Sequence, residues 1–157
     1  MTESNLKCIG SIKATVEHKD GRIEVFERKN TVLYLGRVAI AKMLVNFNGD
    51  GSGYFVNRWI FGNGGTDSGK TKLVNPDMNA LFGATVATKP VISTIDQPNS
   101  SQAIFTSVLA YADANGYAIN EMALVLNNGD LYSMVTFPDL NKTENIQITF
   151  NWYVNLI

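Results

Sequence analysis

The sequence predicts a mainly β single domain over residues 1–157: an antiparallel β-sandwich, jelly-roll-like, with one short α-helix. Three observations predict it. The final stretch places Ile146, Ile148, Phe150, Trp152, Val154 and Leu156 at every second position, with Gln147, Thr149, Asn151 and Asn155 between them. Successive strand side chains point to opposite faces, so this pattern builds one apolar and one polar face, whereas a helix would scatter it. Second, Asn115-Gly116 and Asn128-Gly129 separate this run from two earlier apolar runs, and Asn-Gly pairs supply the positive φ of tight turns. Third, the chain is rich in Asn, holds 13 Gly and is 10% aromatic, a bias toward turns and strands.

Each element follows in order. Cys8, Ile12, Ala14 and Val16 share one face of a first strand over residues 8–17. Lys19-Asp-Gly-Arg22 is a hairpin turn, and Ile23, Val25 and Phe26 carry a second strand over 22–28. Asn30-Thr31 interrupts it. Between residues 34 and 46 the period changes: Leu35, Val38, Leu44 and Val45 recur at near-helical spacing, which predicts a helix of about three turns. The glycine-rich run 46–53 ends it as a loop. Residues 54–61, with Trp59, predict a buried strand. Residues 62–79 predict a long polar loop, 85–94 a strand that Pro90 pushes to an edge, 95–101 a second polar loop and 103–111 a strand. About eight strands and one helix result, with no internal repeat, linker or domain boundary.

Bulk properties narrow the function classes. At 157 residues the chain can bury a core, and 45% hydrophobic residues argue against disorder. A formal net charge of −1, with no basic run, gives no electrostatic reason to expect nucleic acid or an anionic membrane as partner. The first residues lack the basic-then-apolar pattern of a secretory signal, and no apolar run reaches the roughly 18–20 residues of a membrane span. Cys8 is the single cysteine, so no internal disulfide forms, which fits folding in a reducing cytoplasm.

One motif invites an enzymatic reading. Gly64-Gly-Thr-Asp-Ser-Gly69-Lys70-Thr71 satisfies the phosphate-loop pattern GxxxxGK[ST] and follows the apolar Trp59-Ile60-Phe61. In a nucleotide-binding loop, backbone N–H groups wrap the phosphates and the motif opens a helix. Here Asn75-Pro76 obstructs a helix within about a turn of Thr71, and the helix the sequence does predict precedes the motif. A solvated glycine-rich turn is the expectation; a small P-loop NTPase is the competing reading.

The remaining candidates are structural by the same weighing. His18 is the single histidine, so no multi-histidine zinc site can be built, and it sits beside a turn. Cys8 reads as a small buried thiol rather than a nucleophile. Asp113, Asn115 and Glu121 hint at calcium, yet they do not match the twelve-residue calcium loop, and Asx turns explain the first two. Asp96 and Asp130 stand in separate loops. Glu121 lies on a strand between apolar residues, where its carboxylate needs backbone N–H groups or a lysine as partner. Tyr54, bordering a loop, and Tyr153, on the polar face of the last strand, are the aromatics best placed to serve an interface or, on a carbohydrate-binding reading, a sugar platform. The expectation is no catalytic residue, no metal and no cofactor.

The ordered set of motifs resembles bacteriophage virion proteins of the tail, collar and decoration kind. The pieces are Asn30-Thr31-Val32 before Gly36-Arg37; Ile60-Phe-Gly-Asn-Gly-Gly-Thr66, then Leu81-Phe82-Gly83; Ala114-Asn-Gly116 leading to Ile119-Asn-Glu-Met-Ala-Leu124; and Thr136-Phe137-Pro138 with Lys142-Thr143 before the Trp152 strand. The resemblance implies a structural role for the glycine-rich loop and for Glu121, and carries no catalytic residue. It implies a non-enzymatic component of the tail, neck/collar or baseplate, or else a capsid decoration protein. Such a protein is made in the host cytoplasm, ends in the virion, and binds other virion proteins and copies of itself, with no nucleic acid or membrane partner.

Overall fold

The computed structural model describes residues 7–45, 49, 51–95 and 101–157. Its strands are β1 (Cys8–His18), β2 (Ile23–Lys29), β3 (Thr31–Val32), β4 (Val56–Gly62), β5 (Thr66–Asp67), β6 (Lys70–Thr71), β7 (Thr85–Pro90), β8 (Ile92–Ile95), β9 (Gln102–Leu109), β10 (Ala118–Leu126), β11 (Leu131–Asn141) and β12 (Ile146–Leu156). The helix α1 spans Tyr34–Leu44, and a 3-10 turn covers Gly51–Tyr54. Two five-stranded antiparallel sheets form a β-sandwich. The front sheet has the order β2-β1-β12-β9-β8, the back sheet β3-β11-β10-β4-β7, and β5-β6 is a separate small hairpin.

The core lies between the sheets. Ile12, Ala14, Val16, Ile148, Phe150, Trp152 and Val154 project inward from the front sheet to meet Trp59, Phe61, Met122, Leu124, Val135 and Phe137 from the back sheet. At its centre Trp59 meets Trp152 edge-on with ring centroids 5.3 Å apart, and Phe61 meets Phe150 at 5.1 Å. Both spacings lie in the range where aromatic pairs attract beyond simple burial. The alternation expected in β12 is present along almost its whole length: its even-numbered residues from Ile146 to Val154 are buried, and Gln147, Thr149, Asn151, Tyr153 and Asn155 are half-buried.

Three expectations need correction. More strands form than the expected eight or so, because short pairings add to the long ones. The strand expected over 85–94 breaks at Val91: β7 pairs with β4 in the back sheet, and β8 pairs with β9 in the front sheet. The strand expected before Asn128-Gly129 is present as β10, with every residue from Ile119 to Leu126 buried. The helix exists, but Leu44 and Val45 do not form its core face and are 79% and 71% exposed. Its buried residues are the small Gly36 and Ala39. A Cβ at Gly36 would collide with the Tyr132 carbonyl oxygen, so glycine is what lets α1 rest directly on β11. The helix start has no side-chain cap; the Tyr34 N–H instead donates to the Pro76 carbonyl at 2.8 Å.

The outer faces of the two sheets differ. On the back sheet Leu33, Ala123, Val125, Leu131 and Met134 are buried under Val74, Met78, Leu81 and Phe82 from the segment between β6 and β7. The loop expected to be polar and free is therefore folded back as a cover. On the front sheet no outward residue of β1, β2, β8, β9 or β12 is buried.

Candidate functional site

The segment that mimics a phosphate loop is a staple between loop and sheet. Strand β10 carries a bulge between Ile119 and Glu121 in its pairing with β11. A bulge re-aims neighbouring side chains, so Asn120 and Glu121, consecutive in sequence, both reach the same loop. The Glu121 side chain is fully buried. Its Oε1 accepts the N–H groups of Gly64 at 2.9 Å and Gly83 at 2.8 Å, and its Oε2 accepts the Phe82 N–H at 2.8 Å. Asn120 Oδ1 accepts the Gly65 N–H at 2.7 Å, while Nδ2 donates to Asp139 at 2.9 Å and Thr66 Oγ1 at 3.0 Å. Hydrogen bonds from Asn120 and then Thr66 hold the Asp139 carboxyl below its ordinary value.

Glycine is required here for space. A Cβ on Gly64 would strike the Gly83 backbone, and one on Gly65 would strike the Asn120 carbonyl. The second half of the motif is a hairpin: Asp67 pairs with Lys70 across Ser68 and Gly69, whose φ values are 51° and 78°. Positive φ at both central residues is the signature of the type I′ turn that joins two strands. Lys70 and Thr71 are exposed strand residues, and the chain runs on without a helix to Thr85. The backbone N–H groups of Gly64 and Gly65, which would have to wrap a phosphate, already donate to Glu121 and Asn120.

The other candidate residues are tied down in similar ways. Asn115 Oδ1 accepts from Lys142 Nζ at 2.9 Å, and the same ammonium donates to the Thr143 carbonyl at 3.0 Å and the Tyr111 carbonyl at 3.4 Å. Lys142 is buried, and burial lowers its pKa despite the opposing pull of Asp113. Asp113 accepts the Ala110 N–H at 2.8 Å and pairs with Lys89. Burial alone would raise the Asp113 pKa, but Lys89 and the Ala110 N–H bring it below the ordinary value. An ammonium stands where a calcium ion would need oxygen ligands, and among the described residues no cluster of three or more His, Cys, Asp or Glu is placed to hold a metal. Sequence reasoning passed over Lys142 as a site residue; its signal is only a lysine two residues before the last strand's turn. Asp130 closes an Asx turn made by Asn128, its backbone N–H donating to Asn128 Oδ1 at 2.9 Å. Asp96 lies outside the described residues.

His18 lies half-buried at the end of β1, bonded to Glu24 at 2.9 Å and Arg22 at 3.2 Å. Cys8 Sγ lies 2.8 Å from the Tyr132 hydroxyl, and burial, then this bond, pushes the Tyr132 pKa up. Tyr54 and Tyr153 fall in different places. Tyr54 lies under Lys42, 5.5 Å from its Nζ, and with Ile40, Met43, Phe105 and Tyr132 lines an apolar cavity of about 350 Å³ beneath α1. Tyr153 stands half-buried on the outer front face, opposite Ser11 and Ile104. The structure does not bring these two tyrosines together as one sugar platform.

No protein-family model, curated protein or solved structure matches this chain.

Proposed function

We propose that the chain is a non-catalytic structural component of a bacteriophage virion, of the tail, neck/collar or baseplate, that works through contacts with other virion proteins and with copies of itself. Capsid decoration is the second placement the motif resemblance allows. The observation that carries the reading is the asymmetry of the sandwich. The back sheet is covered by the chain's own loop, while the front sheet leaves five strands open to solvent. The five strands hold 7, 11, 11, 8 and 4 residues. At about 3.3 Å per residue and about 4.8 Å between strands they give a face of roughly 650 Å², somewhat under the ~800 Å² per partner of a standard protein interface. The polar groups most suggestive of chemistry support the same reading. Glu121, Asn120 and Lys142 are engaged by backbone and amide groups of their own fold.

The test is mass spectrometry of purified particles with a copy number for this chain. Presence at five, six or small multiples supports a tail, neck or baseplate position, and hundreds of copies support decoration. Absence from particles defeats the proposal.

A further inference from the structure

We infer that β2 is a self-pairing edge that joins two copies of this chain into a symmetric dimer with a continuous front sheet. The inference rests on the assembly reading above and names one surface through which the chain meets a copy of itself.

Strand β2 borders the front sheet and, among the described residues, pairs with β1 alone. The His18 N–H donates to the Arg22 carbonyl at 2.9 Å, and the Asn30 N–H donates to the Gly10 carbonyl at 3.3 Å. Hydrogen-bonded pairs alternate along an antiparallel ladder. Glu24, Phe26 and Arg28 therefore direct their backbone groups to Val16, Ala14 and Ile12. Ile23, Val25, Glu27 and Lys29 direct theirs away from the sheet, toward an open edge. Ile23 and Val25 are 61% and 53% exposed.

An edge of this kind accepts another strand. Its charges specify which one. When two copies of β2 run antiparallel about Phe26, all seven residues pair. Ile23 then meets Lys29, and Val25 meets Glu27, through the outward backbone groups. Glu24 meets Arg28 of the second copy, twice by symmetry, in the pairs without backbone bonds where side chains approach most closely. A one-residue slip would flip the faces. A slip of two residues sets either Glu27 against itself or Glu24 against Phe26. The full-length register alone sets Glu24 against Arg28 and keeps every residue of the strand paired. The other edge of this sheet, β8, carries no charged residue to select a partner. A two-fold contact of this type closes on itself, so it yields a dimer rather than a filament. In forming it, the Arg28 guanidinium leaves the Glu27 carbonyl that it bonds at 3.2 Å in the single chain, and Glu24, whose Oε2 bonds His18 at 2.9 Å, offers its other carboxylate oxygen.

Analytical ultracentrifugation of the full chain up to about 100 µM tests this, since edge contacts this small fall at the weak end of specific interfaces. The expected species is twice 17.2 kDa. Glu24→Arg alone and Arg28→Glu alone each set like charges opposite and weaken the dimer by about tenfold. An equimolar mixture of the two variants restores it, because each then supplies the charge the other lacks. Val25→Pro, which removes an outward N–H without touching the β1 ladder, abolishes it while circular dichroism stays unchanged. A chain that remains at 17.2 kDa throughout overturns the inference, as does a dimer indifferent to these variants or one the mixture does not rescue. Failure here leaves the particle count untouched, and absence from particles leaves the dimer standing, so the two proposals fail separately.

Discussion

The front and back sheets share one core but treat their outer faces in opposite ways. The back sheet buries Ala123, Val125, Leu131 and Met134 under a loop stapled by Glu121. The front sheet presents Thr149, Asn151 and Tyr153 between two exposed edge strands. The difference teaches where each sheet's stability comes from. The back sheet is complete within the chain. The front sheet is stabilised from one side only and keeps a mostly polar outer surface that costs little to leave wet.

Substitutions can break this comparison. Trp152→Ala empties the centre of the shared core and should cost about 3–5 kcal/mol in chemical denaturation, lowering both sheets together in one transition. Glu121→Ala strands the N–H groups of Gly64, Phe82 and Gly83 and should cost about 3 kcal/mol. Its mark is regional: hydrogen exchange should rise in residues 62–84 before it rises in the front sheet. Gly64→Ala forces the loop off the Gly83 backbone and should cost about 1–3 kcal/mol with the same regional pattern.

The smallest effect sharpens the comparison by pH. The Asp113 pKa is lowered in the fold, so the stability it contributes is present above the ordinary carboxylate value and is lost as pH falls through the lowered one. Lys89→Met should flatten that part of the acid limb by about 1 kcal/mol or less, since the pair is partly exposed. Thermal melts of both proteins between about pH 2 and 6 read it directly.

The parts of the fold that could be read from sequence are those where one physical signal acts alone. Strand β12 alternates because one face meets the core and the other meets water. Strand β10 shows no alternation because the core between the sheets covers one face and the 62–84 segment covers the other, so periodicity vanishes. The helix face was misassigned because its contact runs through Gly36 and Ala39, whose small size lets the backbone approach but gives no hydrophobic signal. The break at Val91 depends on which sheet each half joins, a long-range choice that no local pattern encodes. At the stapled loop, the expectation that Glu121 binds backbone N–H groups followed from the cost of an unpartnered buried charge. That the partners are Gly64, Phe82 and Gly83 required the bulge at Asn120, which the sequence does not announce. The glycine-rich motif matched a phosphate loop because close packing and phosphate cradling both demand residues without a Cβ.

Hydroxyl-radical footprinting of the chain, free and within the assembled particle, tests the central claim most directly. Assembly should protect Tyr153 and the exposed residues of β2 several-fold, while Met78, Leu81 and Phe82 on the covered sheet keep the reactivity they have in the free chain. Unchanged reactivity across the front sheet, with new protection confined to residues 62–84, would contradict the account.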